Sequence, residues 1–220
     1  MTAATWPRML RSELRLPLRS VLVWSMSMAA LVFLVVGVYP SIRDNHSFDS
    51  VYGNLSPTMQ ALLGGSSLTS ATGYLSTQLF AFFLPAVLLV FAISRGAAAI
   101  AGEEEQHTLD LLLAQPIRRR NVYLQKSASV LIGIAALTVA SWIPLAAMDS
   151  AVRFDVPVSH LTGVCLQMGL FCCTLALCAQ AVAAAFGRRV AGIATVVAYT
   201  VLGYILYGLS MTVHALSYLR

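Results

Sequence analysis

The 220-residue chain predicts an all-α integral membrane protein of about five transmembrane helices, with an amphipathic interfacial helix at its N-terminus and a patterned cytoplasmic segment between spans 2 and 3. Three observations predict it. Hydrophobic residues make up 58% of the chain and charged residues 10%, with a mean hydropathy of +0.77, whereas a soluble domain carries about a quarter charged residues. The apolar residues gather into runs near the ~20 residues that cross a bilayer. The basic residues gather beside those runs. A soluble enzyme is excluded, and little chain is left over for a catalytic domain outside the membrane. The net charge of +5 orients spans and attracts anionic headgroups. No aromatic-interleaved basic module of a nucleic-acid binder is present, so no nucleic-acid partner is expected.

The elements follow in order. Over residues 6–19, Arg8, Arg11, Arg15 and Arg19 recur at spacings of three and four and share one side of a helix. They hold it at the membrane surface while Trp6, Leu10 and Leu14 dip toward the acyl boundary, and Pro17 marks the bend into the first span, about 20–40. A cleavable signal peptide is the alternative, but the run is longer than a signal core and no small-residue cleavage site follows it. The loop over 41–73 holds Arg43, Asp44 and Asp49. Within it Ser56 can cap a short helix, Pro57 suits its first turn and Gly64 and Gly65 can end it, resting Met59, Leu62 and Leu63 on the membrane or other spans. Spans 2 to 5 cover about 74–94, 127–148, 160–186 and 190–213. A polar turn with Asp149, Arg153 and Asp155 joins spans 3 and 4, and Gly187-Arg188-Arg189 joins spans 4 and 5. Pro85 and Pro144 are expected to kink their helices. The four cysteines, Cys165, Cys172, Cys173 and Cys178, lie in one apolar run without CxxC spacing, so they are expected as reduced packing residues and not as metal ligands.

Assigning the loops alternately places eleven basic residues on one side (Arg8, Arg11, Arg15, Arg19, Arg95, Arg118, Arg119, Arg120, Lys126, Arg188 and Arg189) and three on the other, Arg43, Arg153 and Arg220. The positive-inside rule makes the first side cytoplasmic, with the N-terminus in the cytoplasm and, after five spans, the C-terminus outside.

None of the five runs carries an Asp, Glu, Lys or Arg in its interior. Ion-coupled carriers keep such groups as binding or relay sites despite a cost of at least ~2.5 kcal/mol at the helix centre, so ion-driven transport is disfavoured, with backbone-carbonyl sites at broken helices the remaining route. There is no HExxH, GxSxG or GxxxxGK[ST] motif, and Glu103 to His107 has the wrong spacing for a zincin. Gln78, Gln167 and Gln180 are expected to make interhelical hydrogen bonds.

The segment 95–126 is too long for a hairpin turn. Gly102 can break the helix continuing from span 2, Thr108 can cap a short helix from Leu109 to Gln115 that Pro116 ends, and Asn121 can cap the helix entering span 3. Glu103, Glu104 and Glu105 lie where negative charge complements the short helix's dipole. Arg118, Arg119, Arg120 and Lys126 lie beyond its end and, like the N-terminal arginines, anchor to headgroups. A solvated loop with basic anchors would account for the charges. Leu109, Leu111, Leu112 and Leu113 ask for more, because they need a partner surface or the membrane interface to cover them.

At these residues the sequence resembles a known family. Ala-Gly-Glu-Glu-Glu-x-x-Thr-Leu-Asp-Leu-Leu-Leu-Ala-x-Pro-Ile-x-Arg over Ala101–Arg119, with Lys126 following, is similar to the segment after the second span in permease subunits of type-2 ATP-binding-cassette (ABC) exporters. The basic lead-in, Tyr39-Pro40-Ser41-Ile42 at the end of span 1 and Ala61-Leu62-Leu63-Gly64-Gly65 in the external loop extend the resemblance over most of the chain.

The resemblance implies a single transmembrane permease domain over 1–220 in the bacterial cytoplasmic membrane. It implies two copies or two related chains per transporter, docked on cytosolic ATPase subunits that bind ATP and Mg while this chain binds no cofactor. It also implies a coupling helix within Gly102 to Pro116, with Glu103, Glu104, Glu105, Thr108, Leu109, Asp110 and Leu112 as ATPase contacts. Family members usually have six spans and both termini in the cytoplasm. With five counted here, the expectation is a shortened chain, a sixth helix supplied by another polypeptide, or a reduced relative. The charge-free spans suit a hydrophobic or amphiphilic cargo, although the bilayer demands apolar surfaces in any case. A non-transporting membrane scaffold whose cytoplasmic segment recruits another protein is the alternative.

Overall fold

The computed structural model of the chain describes residues 6–43, 54, 71–105, 119–152 and 157–210. Among these the regular structure is all helical. Helix α1 is Trp6–Arg43. Helix α2 opens as Ala71–Tyr74, passes through a π-helical stretch, Leu75–Phe83, and continues as Leu84–Glu105. Helices α3, α4 and α5 are Arg119–Val152, Val158–Phe186 and Arg189–Ser210. Each holds a stretch long and apolar enough to cross a membrane: Leu18–Ser41, Leu75–Gly102, Arg120–Met148, Val158–Phe186 and Arg189–Tyr207. The five expected spans are therefore present.

Several expected boundaries move. Pro17 lies inside α1, which runs unbroken through the interfacial stretch and the span. A proline in an apolar helix forfeits one backbone bond, and the turns on either side re-form the rest. Gly102 does not end α2. A Cβ there would meet only the Ala98 Cβ at 3.6 Å, and the alanines and glutamates around it are good helix formers that absorb the ~1 kcal/mol a glycine costs. Helix α3 starts at Arg119, so Asn121 lies within its first turn and does not cap it; arginine is itself a strong helix former. Helix α4 starts two residues before His160, at Val158, where the Pro157 carbonyl accepts from the His160 and Leu161 amides at 2.9 and 3.4 Å. It ends on Gly187, whose φ of 63° is the left-handed cap conformation that glycine adopts without a Cβ clash. The short helix expected around Ser56 to Gly65 lies outside the described residues.

The chain groups into two compact units. One comprises Met1–Ser27, Leu88–Val139 and Gln167–Val197. Its core joins Ile93, Ala97 and Ala101 of α2 to Leu175, Ala179 and Ala183 of α4 and Val196 of α5. Trp24 meets Phe91 edge to face at 5.8 Å between centroids, a favourable aromatic geometry, and Gly133 leaves room for the Phe91 ring.

The other unit comprises Met28–Val87, Ala140–Leu166 and Ala198–Arg220. Here the Tyr74 hydroxyl donates to the Val35 carbonyl at 2.8 Å, and the Tyr74 ring leans on Tyr39 at 5.3 Å. Trp142 Nε1 donates to Thr162 Oγ1 at 2.9 Å, and Thr162 donates to the Val158 carbonyl at 2.8 Å. These bonds satisfy polar groups that hydrocarbon would leave bare.

Candidate functional site

The segment between spans 2 and 3 leaves α2 at Glu105. There, Glu105 Oε1 accepts a hydrogen bond from the Arg189 backbone N–H at 2.9 Å. Arg189 is the first residue of α5, so the carboxylate sits on one of the amide groups that a helix start leaves without an intrahelical partner, at the positive end of the dipole. The turn made by Gly187 and Arg188 delivers that amide, with the Arg188 carbonyl accepting from Ala191 N at 3.2 Å. Half-buried Arg95 of α2 lies in electrostatic range of the Arg189 charge.

Behind this contact runs a seam of small residues. A Cβ on Gly96 would collide with the Ala176 backbone carbonyl, and one on Gly192 would stand 2.5 Å from the Ala179 carbonyl and 2.7 Å from the Ala183 Cβ. Alanine and glycine allow helix backbones to approach this closely. The result is that α2, α4 and α5 are joined through close backbone and methyl contacts flanked by Ile93, Leu175 and Val196, with little room to slide. Ala179 and Ala183, small residues that suit close helix approach, are spent on packing within the chain.

Helix α3 joins through a polar pair. Gln180 is fully buried, and its Nε2 donates to Ser127 Oγ at 3.0 Å. Ser127 Oγ has one proton and two acceptors in reach, the Tyr123 carbonyl at 2.9 Å and Gln180 Oε1 at 3.2 Å. Gln180 thus makes the interhelical bond expected of it. Gln78 is half-buried and Gln167 exposed.

Of the expected docking residues, Gly102, Glu103, Glu104 and Glu105 form the last turn of α2. The side chains of Glu103 and Glu104 lie outside the described set, as do Thr108, Leu109, Asp110, Leu112, Pro116 and Arg118 altogether. Among the basic residues expected to anchor to headgroups, Arg19 and Arg120 are exposed and Lys126 is half-buried. Arg8, Arg11, Arg15 and Arg119 are helical, with side chains outside the described set. Two of the four free thiols, Cys165 and Cys172, are buried as expected of packing residues; Cys173 is half-buried and Cys178 is exposed.

Sequence reasoning missed two features. The Glu105–Arg189 contact joins residues 84 positions apart and leaves no local signal. In the second unit, Ala29, Ala30, Phe33, Leu34 and Gly37 of α1 with Ile143 and Pro144 of α3 line an open apolar groove of about 630 Å³. The small residues at positions 29, 30 and 37 were the available hint.

A family model described as ABC-2 family transporter protein matches residues 9–217. No curated protein and no solved structure matches the chain. With nearly the whole chain matched and five apolar helices of spanning length in place, the protein is a multi-pass membrane protein that belongs to the ABC-2 transporter family.

Proposed function

We propose that the chain is the membrane-spanning permease subunit of an ATP-driven exporter in the bacterial cytoplasmic membrane, with its N-terminus in the cytoplasm. Two copies, or this chain and a related one, form the pathway, and each docks on a cytosolic ATPase through the segment from Gly102 to Pro116. ATP and Mg are held by that partner, and this chain supplies no catalytic residue and no cofactor site. When the ATPases close on ATP, the segment is displaced and its motion passes into the spans.

The observation that carries this reading is the Glu105 carboxylate on the first amide of α5, at the point where the segment leaves α2. A push on the segment acts on α2 directly, on α5 through Glu105 and on α4 through the alanine seam. Three spans then respond together. The apolar groove in the second unit supports a hydrophobic or amphiphilic cargo.

Replacing Glu103, Glu104 and Glu105 by lysine in the tagged full chain, purified in mild detergent from its native host, tests the docking assignment. The parent chain is expected to bring a stoichiometric ATPase with it, and the variant to lose that ATPase while remaining monodisperse. A variant that keeps the partner overturns the assignment. A parent chain with no ATPase favours a membrane scaffold.

A further inference from the structure

From the π-helical stretch of α2 we infer that span 2 is a two-register helix, able to exchange π for α hydrogen bonding between Tyr74 and Pro85 and thereby advance the remainder of the helix by one position. Three observations within one turn or two of each other carry it.

The first is the spacing of the buried leucines. Leu75, Leu79, Leu84 and Leu88 are all buried, at intervals of four, five and four. An α-helix keeps residues four apart on one face, so Leu79 would share its face with Phe83, not Leu84. The π stretch absorbs the extra residue, and the Leu84 amide donates to the Leu79 carbonyl five residues back. The exposed positions Phe82, Ala86 and Val90 follow the same phase after the jump.

The second is Pro85, one residue past that last π bond. Without an N–H it cannot donate to the Ala81 carbonyl, and in α geometry its ring would press on that carbonyl. Proline thus removes the bond by which α geometry would resume, and holds the π register in place.

The third is Thr77, 4% exposed inside the stretch, whose hydroxyl has no hydrogen-bond partner among the described residues. In an α-helix a threonine hydroxyl bonds the carbonyl four residues back, here Gly73, but that carbonyl accepts from Ser76 Oγ at 3.0 Å. An unsatisfied buried hydroxyl is costly. It disfavours the π register and finds its acceptor when the α register forms.

Proline and threonine therefore pull the same two turns in opposite directions. The exchange brings Phe83 and Val87 to the places of Leu84 and Leu88, apolar for apolar. Carried to Gly96, the same advance sets Arg95 against Ala176, where a Cβ already has no room. The α register and the closed seam between α2 and α4 exclude one another. The device is a property of this chain's own span and holds with or without a docked ATPase.

Nitroxide labels at Leu89 and Val90, introduced singly into the full chain with its native cysteines replaced by alanine and reconstituted in lipid nanodiscs, read the register through oxygen accessibility. In the parent, Val90 is expected to be more accessible than Leu89. Pro85→Ala is expected to invert that ratio, because an amide at position 85 lets α bonding resume. Thr77→Val, an isosteric change that removes the orphaned hydroxyl, is expected to raise it. A parent ratio below one, a Pro85→Ala ratio equal to the parent's, or a Thr77→Val ratio unchanged or lowered overturns the inference.

Discussion

The last turns of α2 and its first turns solve the same problem in opposite ways. From Gly96 to Ala101 the helix presents glycine and alanine, and its backbone touches that of α4 at Ala176. From Leu75 to Phe83 it presents leucine, phenylalanine and threonine in π geometry. Small side chains make few rotamer choices and leave the backbones in contact, so the closed seam has essentially one arrangement and can only hold or open. Phe83 and Val87 can take the buried places of Leu84 and Leu88 as apolar-for-apolar exchanges of modest cost, so the π stretch has two. The contrast teaches where rigidity and adaptability sit along one helix: rigidity beside the segment proposed to receive force, adaptability toward the other end.

The sharpest way to break that contrast is Gly96→Ala. One methyl against the Ala176 carbonyl has no flexible neighbour to displace, so a backbone must shift. A loss of about 2–3 kcal/mol is expected, outweighing the gain in helix propensity, and is read by denaturant unfolding in mild detergent. A neutral outcome would mean that the seam yields. Six residues along, Gly102→Ala sharpens the same point. Its methyl meets only the Ala98 Cβ at 3.6 Å, so the variant is expected to gain up to about 1 kcal/mol, and a loss there would reveal a contact made by the segment that follows α2. The smallest effect is expected from a double-mutant cycle on Ser127→Ala and Gln180→Leu. Their coupling should be about 0.6 kcal/mol, the usual worth of a hydrogen bond between membrane helices, and a value near zero would show that α3 is held by apolar packing alone.

The five spans were legible because a bilayer selects for unbroken apolar runs, which read directly from residue order. Their ends were less so. Apolar content marks where lipid ends, but α2 runs on to Glu105 and α3 begins at Arg119, since water does not interrupt a helix built of alanine, glutamate and arginine. Gly102 signalled a break that did not occur, because a glycine costs less than the good helix formers around it return, and the helix is continuous across Pro17. The π stretch was written in the 4-5-4 leucine spacing, visible only to a reader who allows a helical period to change within one span. Glu105 was singled out for its charge and its place in a family pattern. Its bond to Arg189 N could not be found that way, since it depends on a turn 84 residues distant that presents a bare amide.

The graded exposure of the four thiols has a practical consequence. Cys165 and Cys172 are buried, Cys173 is half-buried, and Cys178 alone is exposed. Cys178 lies between Ala176 and Ala179 along α4, both buried in the seam, but is itself exposed on another face of the helix. A small membrane-permeant fluorophore at this native thiol would therefore report from the outer face of α4 beside the seam, with no engineered residue, and its emission would follow changes in the surroundings of that helix.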